Sequence, residues 1–569
     1  MAREMLRTPA IVAEVRVCLG PCFLLPISNR ARVAVNPPQV AGGRSMETGH
    51  RRSRCRSRPL ARIGLALSVL ALGLLFTDAY IARADDLAPL SSVGVPKRTG
   101  GTIINNTAAI KLGKALFWDE QTGGDGRIAC ATCHFHNGAD NRTLNTLHPG
   151  PDGIFASGGV TAAGQNFFPA NIVNDDRVGS QGIVGSIFQF IDPNPNNAAD
   201  LCTPDQTAPF FHNRRVTGRN TPPMIDAVFN RQNFWDGRAN DNFNGNDPFG
   251  NTDNQLGQIG PTVTNSSLAS QAVGPPNNEV EMSCKGRPFN GPNSLAAKLL
   301  ARQPLRLQKV HPQDSVLGGL SNWPNPGLNR SYSQLIADAF GPFVAANAQN
   351  TFSRIWGEAV QAYMSTLISD QTPLDRYLAG DKKALTSNQE KGLNRFTGKG
   401  QCSKCHPGPE LTDASISFFN KNGAINEDGG DQGFHNIGVR PAAEDAGRAG
   451  LGPNGASFSE SGSPVDNGAF KTPGLRNVGL RAPHMHNGGK KDLAAVVDFY
   501  SRGGDFPNPS KRMKELNLKA DDQAALVDFL QNALTDCRVA REEAPFDHPS
   551  LSPPNGAFVP ATGGGHTCH

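Results

Sequence analysis

Two cysteine pairs, each followed at once by histidine, are the residues of this chain best suited to chemistry. They are Cys130-Ala-Thr-Cys133-His134 and Cys402-Ser-Lys-Cys405-His406. Two thiols three positions apart can add to the vinyl groups of a haem as thioethers. The adjoining histidine can then turn under the ring and ligate iron. A CxxC pair alone would equally suit zinc or thiol–disulfide exchange. The added histidine, twice in one chain, selects covalent c-type haem. The chain is read as a di-haem protein with His134 and His406 as proximal iron ligands.

Such attachment takes place outside the bacterial cytoplasm, and the N-terminal part of the chain reads as an export leader. Arg51, Arg52, Arg54, Arg56, Arg58 and Arg62 precede an apolar run at 63–76, short for a membrane span. Ala82-Arg83-Ala84 offers a small-x-small cleavage site. Residues 1–84 are therefore taken as leader and signal peptide, with Met46 as the start and an uncleaved anchor as the alternative. The expected location is the periplasm. The leader carries 13 Arg, no Lys and 4 acids, whereas the whole chain is +5, so the rest is about −4. The apparent basicity belongs to the leader, and nothing points to nucleic acid. Beyond the haem thiols, Cys202, Cys284, Cys537 and Cys568 follow the leader. In an oxidising compartment they allow two disulfides, most simply Cys202–Cys284 and Cys537–Cys568.

Strand signals are few, and 62 Gly with 43 Pro imply long loops around short helices. Phe352, Ile355, Trp356, Ala359, Val360, Tyr363 and Leu367 recur at helical spacing and predict a buried helix over 351–370. Further helices are expected at 108–118 and 493–501, the latter closed by Gly503-Gly504. Another opens on the capping box Ser387-x-x-Glu390 before the second haem motif. The expected fold is mostly α: two cytochrome c-like haem domains with long loops and few or no strands. The domains are placed at 85–378 and 379–540, followed by a Pro/Gly-rich tail at 541–569. Two stretches rich in Asn, Gly, Asp and Pro, 137–215 and 240–267, read as loop-like insertions in the first domain.

Around these motifs the chain resembles the bacterial di-haem cytochrome c peroxidase/MauG family. The resemblance rests on Gly113-Lys-Ala-Leu-Phe-Trp-Asp119, Gly124-Asp-Gly126 and Asn233-Phe-Trp-Asp-Gly-Arg-Ala239. It extends to Gln271-Ala-Val-Gly-Pro275 with Glu281-Met282, to Phe434-His-Asn-Ile-Gly438 and to Phe470-Lys-Thr-Pro-Gly-Leu-Arg-Asn477. It implies that the N-terminal haem meets hydrogen peroxide and the C-terminal haem relays or stores oxidising equivalents. By similarity Glu281 is the acid/base, Gln271 and Pro275 shape the distal pocket, and Trp235 couples the haems. Asn220 matches a ligand of an inter-haem calcium, with backbone carbonyls near Arg481 and Pro483 as other donors. Arg481 departs from the family there, standing where Thr is common.

The sixth ligand of the C-terminal haem separates the branches of such a family. Tyr500 falls at the position where MauG-like members carry Tyr and donor-dependent peroxidases carry Met; Met485 and His484 are the alternatives. A phenolate oxygen favours higher iron oxidation states. His486 fits a retained histidine near this haem. His148, fourteen residues after His134, could block the N-terminal iron, but it is read as a solvated loop residue, as are His136 and His212.

The leading expectation is peroxide reduction with electrons from a small cytochrome c or cupredoxin. The alternative is MauG-like oxidation of a partner protein or organic substrate. An electron carrier without catalysis comes third, because a carrier gains nothing from an open pocket bearing Glu281. Two haem c and a calcium ion are the implied cofactors. A homodimer is an assembly that the resemblance allows.

Overall fold

The computed structural model describes residues 87–156, 172, 174–250, 252 and 256–564. The expected leader at 1–84, Cys568 and the last residues of the tail lie outside these.

Helices dominate, and the longest pair explains the first core. Asn105 accepts a hydrogen bond from the backbone N–H of Ala108 (3.2 Å), which satisfies one free donor at the start of the helix Asn106–Trp118. Leu112, Ala115, Leu116 and Phe117 of this helix are buried against the helix Ala348–Met364, whose Phe352, Ile355, Trp356 and Ala359 are equally buried. Each of the larger side chains, Leu, Ile and Phe, contributes about 1.5–3 kcal/mol by leaving water. The two helices cross at Gly113. A Cβ there would stand 1.9 Å from the Ala359 carbonyl oxygen, so no other residue permits this approach. The second core repeats the device: a Cβ on Gly392 would stand 2.2 Å from the Ala525 carbonyl oxygen. Here the helix Ser387–Thr397 packs on Ala520–Asp528, with Phe396 and Phe529 buried between them.

Two expected helix limits move. The helix expected over 351–370 spans Ala348–Met364, and Thr351 carries non-helical φ/ψ where two helical segments meet. It stops early because its backbone is claimed from outside: Asp226 Oδ1 accepts from Ser369 N–H (2.8 Å), and Leu367 O accepts from Asp226 N–H (3.1 Å). The capping box is made by Thr386 and Gln389 rather than Ser387 and Glu390. Gln389 and Asn388 also reach Asp528 on the facing helix, which sets the register. The helix Leu493–Ser501 forms as expected, capped by Asp492.

Among the described residues the strands form four antiparallel two-stranded ladders. Three of them, Leu147–His148 with Arg177–Val178, Gln181–Val184 with Arg214–Val216, and Ser186–Phe190 with Leu201–Pro204, fall in the stretch expected to be loop-like. Their runs of two to five residues are too short for periodicity to declare. The fourth joins Phe434–His435 to Phe470–Lys471 beside the second haem motif.

Cys202 and Cys284 are disulfide-bonded and close an 82-residue span, tying the insertion to the segment after Glu281. Cys537 is also disulfide-bonded. The chain end does not stay with the second core. Phe546 and Leu551 bury into the first, Asp547 pairs with the buried Lys114 (3.2 Å), and His548 stacks on Trp118 at 4.7 Å. Residues 541–564 thus form a strap back over the N-terminal half. Among the described residues no helix is long and apolar enough to cross a membrane.

Candidate functional site: two haem-binding cavities

The first haem motif forms the short helix Cys130–His134, capped by a hydrogen bond from Ala129 N–H to Thr132 Oγ1 (2.9 Å). His134 Nδ1 lies 3.2 Å from Gly138 O. With Nδ1–H donating to that carbonyl, Nε2 is left with its lone pair for a metal. Burial lowers the pKa of this imidazole, which keeps it neutral and able to ligate. The ring faces a cavity of about 630 Å³, mouth included, lined by Cys130, Cys133, Pro223, Leu268, Gln271, Pro275, Glu281, Met282 and Val360. Gln271 comes from the helix Ser267–Ala272 and Pro275 from the 3-10 turn Pro275–Asn277. Burial raises the Glu281 carboxyl above its ordinary range, and the Arg238 cation draws it partly back. Glu281 is therefore not a solvated surface acid. Apart from the motif's own Cys130, Cys133 and His134, it is the only titratable side chain lining this cavity among the described residues.

The second motif, opening on the 3-10 turn Cys402–Lys404, orients its histidine in the same way: His406 Nδ1 lies 3.0 Å from Leu411 O, and burial lowers its pKa. Its cavity holds about 1670 Å³ of space, open mouth included. Tyr500, Met485, His484 and His486 all line it together with Trp235 and Asn220. Burial pushes the Tyr500 phenol well above its ordinary range, so only a cation facing it would draw off the proton. The His486 ring stacks on Phe470 at 3.6 Å and meets Trp235 edge-on at 6.5 Å. Trp235 Nε1–H donates to Asn220 O (2.8 Å). Pro223 lines both cavities, so one residue separates them at that point.

Two cations test what this cavity is built to hold: Lys471, missed from the sequence, and Arg481, singled out there only for its place near the calcium site. Lys471 is 6% exposed, and its Nζ reaches only Thr472 O at 3.5 Å. Burial lowers its pKa to about 8, and Arg481 pushes the same way. Arg481 donates to two carbonyls, and its Nε is buried without a partner. Among the described residues neither cation has a carboxylate at ion-pair distance. A buried cation left so is costly unless an anionic group meets it. A flat apolar ring with two carboxylates at one edge, as haem is, suits an apolar cavity with two such cations. Cys402, Cys405 and His406 would hold it here, and Cys130, Cys133 and His134 in the first cavity. None of these four cysteines is taken by a disulfide.

Other expected residues are placed as follows. Asn220 meets Pro483 directly, Nδ2 donating to its carbonyl at 2.7 Å. His148 is half-buried in the strand Leu147–His148, its Nδ1 accepting from Gly150 N–H (3.1 Å), and it is not among the residues lining the His134 cavity. Its solvated-loop reading is corrected: the paired strand holds it, and burial lowers its pKa to about 4. His136 is half-buried and His212 exposed. His435 pairs with Asp413 (2.8 Å), which holds its pKa near 10 against the effect of burial. Cys405, Asp413 and His435 come within 4.8 Å of one another, but the thioether claims Cys405, so they form no metal centre.

Comparison with known proteins now decides the family. The model of the di-haem cytochrome c peroxidase family matches residues 107–383. The chain is 25% identical over 485 residues to cytochrome-c peroxidase IdrP1 of Pseudomonas sp. (strain SCT), covering 82% of this chain and 91% of that protein. It is 31% identical over 201 residues to methylamine utilization protein MauG of Methylorubrum extorquens, covering 35% of this chain and 48% of that one. This chain belongs to the di-haem cytochrome c peroxidase/MauG family. It is a di-haem peroxidase-like oxidoreductase. The solved structure of the diheme peroxidase BthA from Burkholderia thailandensis is similar at a TM-score of 0.44 and 20% identity, over 80% of this chain and 90% of that one.

Proposed function

We propose that hydrogen peroxide is reduced in the His134 cavity, with electrons reaching it through the His406 cavity by way of Trp235. The observation that carries this reading is the shared lining of the first cavity by His134, Glu281, Gln271 and Pro275, with Glu281 as its sole free acid. Haem, when bound, supplies the redox-active iron at which the peroxide O–O bond is broken. Glu281 takes a proton from one peroxide oxygen and returns it to the other, so that water leaves. A carboxyl raised by burial suits both halves of that transfer. The Gln271 amide orients the peroxide by hydrogen bonding, and Pro275 narrows the space. Trp235 lies against His486 and Asn220 on the second cavity's wall and couples the two sites.

The MauG-like reading, oxidation of a partner protein or organic substrate, is favoured by Tyr500 on the wall of the His406 cavity. With Tyr500 as axial ligand, the second site would stabilise high oxidation states rather than accept electrons readily. Asn220 and Pro483 are the proposed calcium donors: turning the amide over sets Oδ1 beside the Pro483 carbonyl, an oxygen pair that a cation would join. The proposed location is the periplasm, and the proposed donor a small cytochrome c or cupredoxin.

One experiment separates the readings. The diferric protein is mixed with one equivalent of peroxide and its spectrum followed by stopped flow. Rapid reaction without prior reduction, giving a long-lived oxidised state, supports the open first cavity and the MauG-like role. Reaction only after one haem is reduced supports a donor-dependent peroxidase. No reaction in either state overturns peroxide chemistry altogether.

A further inference from the structure

Around a c-type haem, hydrogen bonds and charges near the ligating groups tune the potential alongside ligand type. The first site carries such a group in a stretch where the haem motif makes no demand. Arg142, eight residues beyond His134, is 6% exposed. Its Nη2 lies 3.4 Å from Cys133 Sγ and donates to Gln181 O at 2.9 Å. Asp140 accepts from the same guanidinium, at 2.9 Å from Nε and 2.7 Å from Nη2. The remaining arm, Nη1, reaches Pro554 O on the C-terminal strap at 3.3 Å. Beside it, Asn555 donates to Gln181 Oε1 at 2.8 Å.

Three segments distant in sequence thus fix one guanidinium against one haem sulfur. The Cys133 sulfur stands for the thioether sulfur of the attached haem, still a weak acceptor. Arg142 brings Nη2 to 3.4 Å from that sulfur, and Asp140 touches the guanidinium at Nε and Nη2. For a ring attached there, the nearer charge is positive and favours the reduced iron.

We propose that Arg142 is a positioning residue that raises the reduction potential of the N-terminal haem, and that the strap around Pro554 and Asn555 holds it in place. The proposal needs haem attachment at Cys133. It does not need peroxide chemistry at that site, so the two readings fail separately.

The test is a mediated redox titration of the purified di-haem protein, which resolves two waves. Arg142→Ala leaves Asp140 without its cation and is expected to lower one wave by about tenfold in its reduction equilibrium, 59 mV for one electron. Asp140→Asn is expected to raise the same wave. Arg142→Lys keeps the charge but cannot span Cys133, Gln181 and Pro554, and should give an intermediate drop. Asn555→Ala should move that wave down by a smaller amount, through the strap alone. The opposite signs for positions 140 and 142, confined to one wave, distinguish tuning from loosened packing. The proposal is overturned if neither wave moves, if both move together, or if both variants shift it in one direction. An unmoved wave in Asn555→Ala removes the strap from the account. Should Arg142→Ala not fold, the Lys and Asn variants still decide it.

Discussion

Glu281→Gln is the substitution that tests the proposed acid/base most directly. It keeps the shape of the side chain and removes the titrating oxygen. It breaks no ion pair, since the Arg238 cation acts on Glu281 only at a distance. Nothing else on the wall of that cavity could take over, because Cys130, Cys133 and His134 are committed to haem. The loss should therefore be the full contribution of general acid–base catalysis, about 10²–10⁴-fold. At 1.36 kcal/mol per tenfold, that is roughly 3–5 kcal/mol of barrier. The assay is the second-order rate constant for reaction of the di-haem protein with peroxide, by stopped flow, across pH. Burial raises the Glu281 pKa, and the base form must be ionised to accept the first proton. The wild-type rate should then fall as pH drops through a value above the ordinary carboxylate range, and the variant should be flat there. A loss smaller than tenfold, or the same acid limb in the variant, would refute the role.

Three further outcomes follow from the same structure. Replacing Cys202 and Cys284 by Ser together frees the 82-residue span and should cost about 2–4 kcal/mol in urea unfolding; an unchanged midpoint would mean the hairpin is held without it. Burial raises Asp226 and Glu120 to about 7, so the folded state binds their protons more tightly than the unfolded chain does. Their contribution to stability is fully present below about pH 4 and is lost as pH rises toward 7. Asp226→Asn should flatten that slope in thermal unfolding at several pH values, and an unaltered slope would exclude Asp226 as its source. Chelation of calcium from the purified protein should change the haem spectrum and release about one ion by elemental analysis, and Asn220→Ala should abolish the uptake. A protein that never holds calcium would return Asn220 to a hydrogen-bonding role.

The sequence was most informative where function needs a fixed local order. Two thiols and a histidine must be neighbours along the chain to grip one ring, so Cys130–His134 and Cys402–His406 are legible without a fold. The same holds for the buried stripe of the helix Ala348–Met364, whose spacing reports its own packing. Its C-terminal limit was not legible, because Asp226, 143 residues away from Ser369, takes the backbone there. The short ladders of the first insertion were equally silent. Their strands are held by pairing with one another, and the Cys202–Cys284 bridge ties only the ladder of Ser186–Phe190 with Leu201–Pro204 to the segment after Glu281.

What the chain determined by itself is therefore the haem attachment, the mostly helical class and, through its motifs, the family. Only the tertiary structure decided which distant groups share a cavity. It set Glu281 in one cavity with His134, and it placed Lys471 and Arg481, with no carboxylate at ion-pair distance among the described residues, in one cavity with His406. It also carried the strap back to reach Arg142, 412 residues from Pro554. The physical reason is range: bonds and helical spacing act over a few residues, whereas burial, desolvation and charge act between groups that only the packed chain makes neighbours.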